Sequence, residues 1–509
     1  MQIKFGGRSS DVSTRAGVAR TTFGGHARKR QLVAYGIVVC AALMRSNDVA
    51  FADQTSAKDA KHARGALHVS VKLRALHMNR EPYSNPAAAG VKSLPPNATG
   101  TNFGVALHAE YDASTRWSLG GTYYGAEPFS MNGPCSEVPN YDRGGSCTTA
   151  LQQKYDPTLP VFPLSTLGEA YADYHAERFH ARIGDQMIVT PWALPLDGRM
   201  KPVLFQGITT ETRVAKNLVL TVDRILRFES RTSSAFLPTT FVTSPTQYVP
   251  GMLYSSLGYA NRKSVTATLG LYNFYNIANL FYGETSAAIA PKSALAPVLS
   301  VQYVRELGAG RHYAGIIDNR TIGVKGEVRL GRNFAFSLAT DSAPWRSQTV
   351  LAKSVAAAQA GFFSPIGGTP AVRLIAPGKY QVYYGGVASP YTGAYSGDAL
   401  YTSFIPTNSM AQRQSAGNSD KITLLFHTND ARLQAQLAHA DFDYSNGAGS
   451  ETTRANYIDA TYFFGPRVGP GFRGLSVRDR FSDRIQNNVK QYGGFPRFKY
   501  NMIYLEYNL

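Results

Sequence analysis

The stretch Val105-Ala106-Leu107-His108-Ala109-Glu110-Tyr111-Asp112, followed after four residues by Trp117-Ser118-Leu119-Gly120-Gly121-Thr122-Tyr123-Tyr124, decides the architecture. Successive side chains of a strand point to opposite faces, so a period of two with one apolar partner marks a strand with one apolar face. Val105, Leu107, Ala109 and Tyr111 make that face in the first run, and Trp117, Leu119, Gly121 and Tyr123 in the second. The pattern recurs: Phe179, Ala181 and Ile183 alternate with Arg178, His180 and Arg182, and Val324, Gly326, Val328 and Leu330 with Lys325, Glu327 and Arg329. After the turn Gly331-Arg332-Asn333, Phe334, Phe336 and Leu338 take it up again. Period-two segments of ~10 residues, divided by alternately short turns and long loops, are the signature of an outer-membrane β-barrel. A soluble β-sandwich alternates as well. It has no need of apolar-out strands this long, or of Tyr and Phe gathered near strand ends, where barrels carry aromatic girdles.

Composition narrows the choice in the same direction. Of 509 residues only 17% are charged, while 30 are Tyr and 47 Gly; soluble domains carry about 25% charge. The 44% hydrophobic content excludes a disordered chain. A helical membrane bundle is excluded because the longest apolar run, Leu32 to Met44, falls short of the ~18 residues a helix needs to span. Nineteen candidate strands can be counted, near 66–79, 102–112, 116–127, 167–176, 178–188, 204–214, 217–230, 252–260, 263–275, 279–288, 297–306, 321–330, 333–342, 376–386, 420–428, 431–444, 454–464, 472–482 and 497–509. Single-chain bacterial barrels use even numbers. The expectation is therefore an all-β transmembrane antiparallel barrel of about 18 strands, with one candidate lying in a loop. Long irregular stretches occupy 128–166, 189–203, 231–250, 343–375 and 387–419.

Residues 1–52 read as a cleaved export signal, with Arg28-Lys29-Arg30 as the basic region, Leu32–Met44 as the apolar region and Ala50-Phe51-Ala52 as the cleavage site. Residues 53–509 are then a single barrel domain. Cleavage of residues 1–52 would lower the formal charge from +18 to +12 and leave Cys135 and Cys147 as the remaining cysteines. In a turn-rich stretch of an exported protein these two read as a local disulfide. No metal-ligand spacing surrounds them, and no metal or cofactor is expected.

If the apolar partners face lipid, the opposite parity faces the lumen, and that set is rich in cations. Lys72 and Arg74, Arg178 and Arg182, Lys325 and Arg329, Arg432, and Arg478 and Arg480 all carry it. In the last strand, Arg497 and Lys499 carry it if Phe498 and Tyr500 face outward. The alternation at Ile503, Leu505, Tyr507 and Leu509 has the other parity, which calls for a bulge near 503. An Arg or Lys on the lipid face near the midplane costs about 2–4 kcal/mol, which drives these side chains inward. There they either guide anions, since the guanidinium fork matches carboxylates, or pair with wall acids such as Glu110, Asp223, Glu327 and Asp459 and hold the barrel's shape.

Catalytic signatures are missing: there is no G-x-S-x-G, H-E-x-x-H, G-x-x-x-x-G-K-[ST] or C-x-x-C. The cations are spaced along strands rather than clustered on a recognition element, so nucleic acid is not an expected partner.

Several motifs together resemble the OprD family of outer-membrane porins, the substrate-specific carboxylate channels. They are Val71-Lys72-Leu73-Arg74-Ala75-Leu76-His77-Met78-Asn79-Arg80-Glu81, then Ala181-Arg182-Ile183-Gly184-Asp185-Gln186-Met187 with Thr190-Pro191-Trp192, Arg199-Met200 and Phe205-Gln206-Gly207. Leu271-Tyr272-Asn273-Phe274-Tyr275, Leu400-Tyr401-Thr402-Ser403, Gly474-Leu475-Ser476-Val477-Arg478-Asp479-Arg480-Phe481 and the ending Tyr507-Asn508-Leu509 add to it. The resemblance implies an 18-stranded barrel whose long outer loops fold into the lumen, and a basic ladder that leads carboxylates through. Its ladder positions here are Arg74, Arg80, Arg478 and Arg480, with Arg497 and Lys499 as further rungs. The function expected is passive diffusion of small carboxylate-bearing solutes across the bacterial outer membrane. The alternatives are a barrel hydrolase and a non-conducting adhesin. Expected partners are outer-membrane lipid and lipopolysaccharide, small anionic solutes, and the barrel assembly machinery acting on the C-terminal strand.

Overall fold

The structure, a computed structural model, describes residues 65–83, 98–129, 159–160, 163–195, 198–238, 251–261, 264–311, 317–351, 372–393, 413–414, 416–445, 450–465, 470–486 and 497–509. The expected export signal and the Cys135–Cys147 disulfide lie outside these residues.

Eighteen strands form the wall. The first six are β1 (Leu67–Tyr83), β2 (Ala98–Asp112), β3 (Trp117–Pro128), β4 (Leu164–His175), β5 (Phe179–Gln186) and β6 (Leu204–Ala215). Next come β7 (Leu218–Glu229), β8 (Met252–Asn261), β9 (Val265–Phe274), β10 (Ala278–Ala288), β11 (Val298–Gly308) and β12 (Asp318–Leu330). The wall finishes with β13 (Phe334–Ala343), β14 (Gly417–His427), β15 (Leu433–Ser445), β16 (Ser450–Phe463), β17 (Leu475–Gln486) and β18 (Arg497–Asn508). Each pairs antiparallel with its neighbours, and β1 pairs with β18 from Lys72↔Asn508 to Tyr83↔Arg497, so the sheet closes. Closure removes the exposed edge that an open sheet would present to lipid.

The nineteenth candidate, 376–386, is the one that lies in a loop. Lys379–Tyr384 is a strand, but it pairs with Arg346–Leu351 and Val372–Ala376 in a separate three-stranded sheet between β13 and β14. Strand pattern alone does not say which sheet a strand joins.

Burial follows the two parities. On β1, Leu67, Val69 and Leu73 are exposed while Arg74, Leu76 and Met78 are buried. The outward faces of β2 and β3 show Phe103, Leu107, Tyr111, Trp117, Leu119 and Tyr123. Beside the short turns, Trp117 packs against Tyr174 with ring centroids 4.8 Å apart, and Phe334 against Phe426 at 4.9 Å. Aromatic pairs of this kind, at the ends of outward apolar faces, suit the membrane interface. The turns β2–β3, β4–β5, β6–β7 and β12–β13 lie at the end of the barrel where β1 begins, the side that in such barrels faces the periplasm.

Register explains the expected outcome of a paired test. Leu73→Arg puts a charge into the outward apolar series and should cost about 2–4 kcal/mol near the midplane. Ser70→Arg, on the lumen parity of the same strand, should be tolerated. Unfolding in urea from lipid vesicles, followed by tryptophan fluorescence, distinguishes the two.

Candidate functional site

An 18-stranded barrel is wide enough for a water-filled lumen, and here two inserted segments narrow it. The first is the connection 187–203 between β5 and β6. Its Trp192 and Ala193 are fully buried among Tyr254, Tyr272, Phe274, Leu280 and Tyr282 on the inner face of β8–β10. Trp192 stands edge-on to Tyr272 and Tyr282, at 5.6 and 5.1 Å between centroids. The same connection reaches the opposite wall, where Met200 packs with Leu76, Met78, Met502 and Tyr504 of β1 and β18. There Tyr504 donates to the Gly198 carbonyl at 3.1 Å, and Arg74 donates to the Arg199 carbonyl. The connection therefore crosses the lumen.

The second segment runs through 386–393 along the inner face of β11–β14. Thr321 exchanges two hydrogen bonds with Val387, at 2.7 and 2.9 Å, and Thr392 donates to Asp341 at 2.6 Å. The two segments meet where Trp192 Nε1 donates to the Ala388 carbonyl at 3.0 Å. Below the crossing lies a cavity of about 980 Å³ whose lining includes Lys72, Arg74, Glu169, Tyr171, His180 and Arg182.

The local geometry of the Arg182 motif depends on one glycine. Gly184 has φ +128°, and a Cβ there would lie 2.2 Å from the Ala170 carbonyl oxygen, so no other residue fits without moving β4.

A run of cations occupies β1 and β17 at the junction where the barrel closes. Register places Arg74 level with Glu506, Leu76 with Tyr504 and Arg478, and Met78 with Met502 and Arg480. Lys72, Arg74, Arg478 and Arg480 thus stand at successive two-residue steps, each about 6.6–6.8 Å along the strand. Arg74 Nε donates to Glu506 at 2.6 Å, and Lys72 lies 3.9 Å from the same carboxylate. Arg478 grips Asp459 with two bonds of 2.7 and 2.5 Å, and Arg480 Nε lies 2.8 Å from the same group. Four cations share two carboxylates. Arg478 also stacks over the Tyr504 ring at 5.7 Å.

The other predicted cations divide by position. Arg182, on the inner face of β5, donates to Asp173 at 3.0 and 2.5 Å and lies 3.9 Å over the Tyr171 ring. Lys325, on the inner face of β12, lies 3.9 Å from Glu327 and 4.8 Å over the Tyr391 ring of the second inserted segment. Arg178 and Arg432 sit in the β4–β5 and β14–β15 turns, and Arg329 is exposed two residues before the β12–β13 turn. Arg80 pairs through its backbone with Tyr500, one two-residue step beyond Met78.

Two expected rungs are corrected. The pairing of β18 with both neighbours runs without interruption, so the bulge near 503 does not exist. Ile503 and Leu505 are exposed and Met502 and Tyr504 buried, which gives Arg497 and Lys499 the outward parity. Arg497 accordingly pairs with Asp483, at 2.9 and 2.8 Å, and Asp483 shares the parity of the exposed Ile485. Tyr500 and Met502 face inward although apolar, because the inserted 187–203 segment covers them.

Residues missed by the sequence reading include Lys201, Lys421, Arg199 and Arg484. Arg484 shares the parity of Arg478 and Arg480, and counting four residues further along β17 would have found it. Lys201 is fully buried in the inserted segment, 3.4 Å from Glu229 and donating to the Ser230 carbonyl at 2.6 Å, which nothing in the local sequence announces.

Residues 171–341, about a third of the chain, match the family described as outer membrane porin, OprD family. The motif around Arg182 lies within that match. Similar solved structures cover nearly the whole barrel. Pseudomonas aeruginosa OpdK with vanillate is 14% identical, with TM-score 0.61 over 87% of this chain and 98% of that one. P. aeruginosa OccK2 (OpdF) in complex with glucuronate is 14% identical, with TM-score 0.60 over 88% and 99%. A BenF-like porin from Pseudomonas fluorescens is 12% identical, with TM-score 0.62 over 87% and 98%. At these identities the likeness is one of fold. No curated protein matches the chain in sequence.

Trp192→Ala tests whether the crossing segment sets the pore. The change removes packing that is worth about 3–5 kcal/mol in a filled core. The expected outcome is a larger single-channel conductance with the folded band retained on unheated gels.

Proposed function

We propose that this OprD-type outer-membrane barrel is a channel for passive diffusion of small carboxylate-bearing solutes, guided by Lys72, Arg74, Arg478 and Arg480. One observation carries the reading: these four cations rise in steps along the closing strands, and two carboxylates, Glu506 and Asp459, each hold two of them. A pore of this kind sorts ions by the sign of the charges it presents. Asp459 holds the Arg478 fork in one orientation, so a solute carboxylate meets a fixed donor rather than a mobile one. Arg80 and Arg484 extend the ladder beyond Arg480 by register. Arg497 and Lys499 fall outside it and instead offer charge to lipopolysaccharide phosphates on the outer surface.

The crossing segment supports the reading by meeting the proposed ladder at Arg74 and Met502, with the cavity below on the solute's path. Vanillate and glucuronate, held by two of the structurally similar porins, both carry a carboxylate. Export through the signal at 1–52 and assembly through β18 complete the proposal.

Planar-bilayer recording in a salt gradient tests it. The expected result is small discrete openings, a reversal potential of anion-preferring sign, and block by added glucuronate. The variant Arg478→Gln, Arg480→Gln, Asp459→Asn removes two cations and their shared acid together, since an acid left buried without a partner costs about 3–5 kcal/mol. Its anion preference and carboxylate block should fall while the folded gel band persists. A silent bilayer from folded protein, or unchanged selectivity in the variant, would remove the ladder's role.

A further inference from the structure

Five of the chain's ten histidines, His68, His77, His108, His175 and His180, lie on β1–β5, and two of these converge on one acid. His175 ends β4 and His180 is the second residue of β5, the two paired directly opposite each other beside the turn Ala176–Arg178. Their imidazoles stack, 4.4 Å between centroids and 13° from parallel. Both aim Nε2 at the buried Asp173, with His180 Nε2 2.5 Å from Oδ1 and His175 Nε2 3.3 Å from Oδ2. We propose that Asp173, His175 and His180 form a binding site for a divalent transition-metal ion at the periplasmic end of the lumen.

The donor set fits. The three donor atoms all lie within 4.8 Å of one another. Bonds of about 2.0–2.1 Å in a tetrahedral site set ligand atoms about 3.3 Å apart, so small side-chain rotations suffice. Two imidazoles and one carboxylate suit Zn²⁺, Cu²⁺ or Ni²⁺ and not the all-oxygen cations Ca²⁺ and Mg²⁺. A three-residue turn closed by the Ala176 amide donating to the Phe179 carbonyl at 2.7 Å fixes the strands that carry the ligands. Arg182 directs both of its bonds to Oδ2 of Asp173, which leaves Oδ1 facing His180 and supports the acid from behind. Its charge offsets that of Asp173, so the site is neutral before the metal arrives and binds less tightly than a structural zinc site. The fourth coordination position is left for water or a solute group. His180 and Arg182 line the cavity of about 980 Å³, so a bound ion adds positive charge to the wall where solute leaves the constriction.

Tag-free barrel in detergent, freed of metal by chelator, is titrated with ZnCl₂ by calorimetry and with CuCl₂ by electron paramagnetic resonance. The expected result is one Zn²⁺ per chain, weakened about tenfold or more in His175→Ala and in His180→Ala. The Cu²⁺ spectrum should show two nitrogen couplings in the wild type and one in each single variant. His180→Gln, which keeps a donor toward Asp173, serves as the folded control, and all variants are checked for the folded gel band. Equal Zn²⁺ affinity in the wild type and the double alanine variant, no binding by the wild type, or nitrogen couplings that survive the double substitution would overturn the proposal.

Discussion

The structure depends on one constraint: within hydrocarbon every backbone N–H and C=O must find a partner in the protein. A strand meets this only when the sheet closes, and here the closing seam is β1 against β18, from Lys72↔Asn508 to Tyr83↔Arg497. The seam fixes more than the hydrogen bonds. A slip of one residue would carry Arg74 to the lipid face and Leu73 into the lumen. Burial of Arg74 beside exposure of Leu73 shows that the register and the two solvents agree.

Closure also creates a difficulty, because a wall of this many strands encloses a wide lumen. The chain fills it with its own connections, and it does so with different physics at each end of the crossing. At β8–β10 the anchor is apolar, with Trp192 surrounded by tyrosine and phenylalanine rings. Along β11–β14 it is polar, with Thr321 satisfying the Val387 backbone and Asp341 accepting from the Thr392 side chain. A segment buried without such partners would leave its amides unpaired, at about 1–3 kcal/mol each. The narrowing of the pore and the satisfaction of the inserted backbone are thus the same set of contacts.

The barrel was legible in the sequence because alternation reports directly on two solvents, one on each side of the wall. Phe179, Ala181 and Ile183 needed no knowledge of their partners to be read as outward. What escaped the reading lay where that rule weakens. Lys379–Tyr384 alternates as a wall strand does, yet it pairs with neighbours inside a loop. On β18 the inward Tyr500, Met502 and Tyr504 are apolar, because they meet Met200 rather than water, and assigning apolar residues outward therefore turned Arg497 and Lys499 the wrong way. The acid partners of the arginines were visible as residue types, and Asp459 was among those named. That one acid would serve both Arg478 and Arg480 required the register of β16 against β17.

That sharing bears on what the proposed ladder would do. A lumen arginine matched one to one with an acid would be a structural pair, its charge cancelled and its fork occupied. A lumen arginine with no acid would pay the cost of a partly desolvated charge and would move on a flexible stem. Two cations on one carboxylate avoid both extremes. Glu506 and Asp459 each restrain two cationic groups, and each such trio taken by itself sums to one positive charge in a held position. Asp173 has an arginine on one oxygen and imidazoles on both, so this carboxylate too is shared among several groups, and the proposed metal site draws on that sharing.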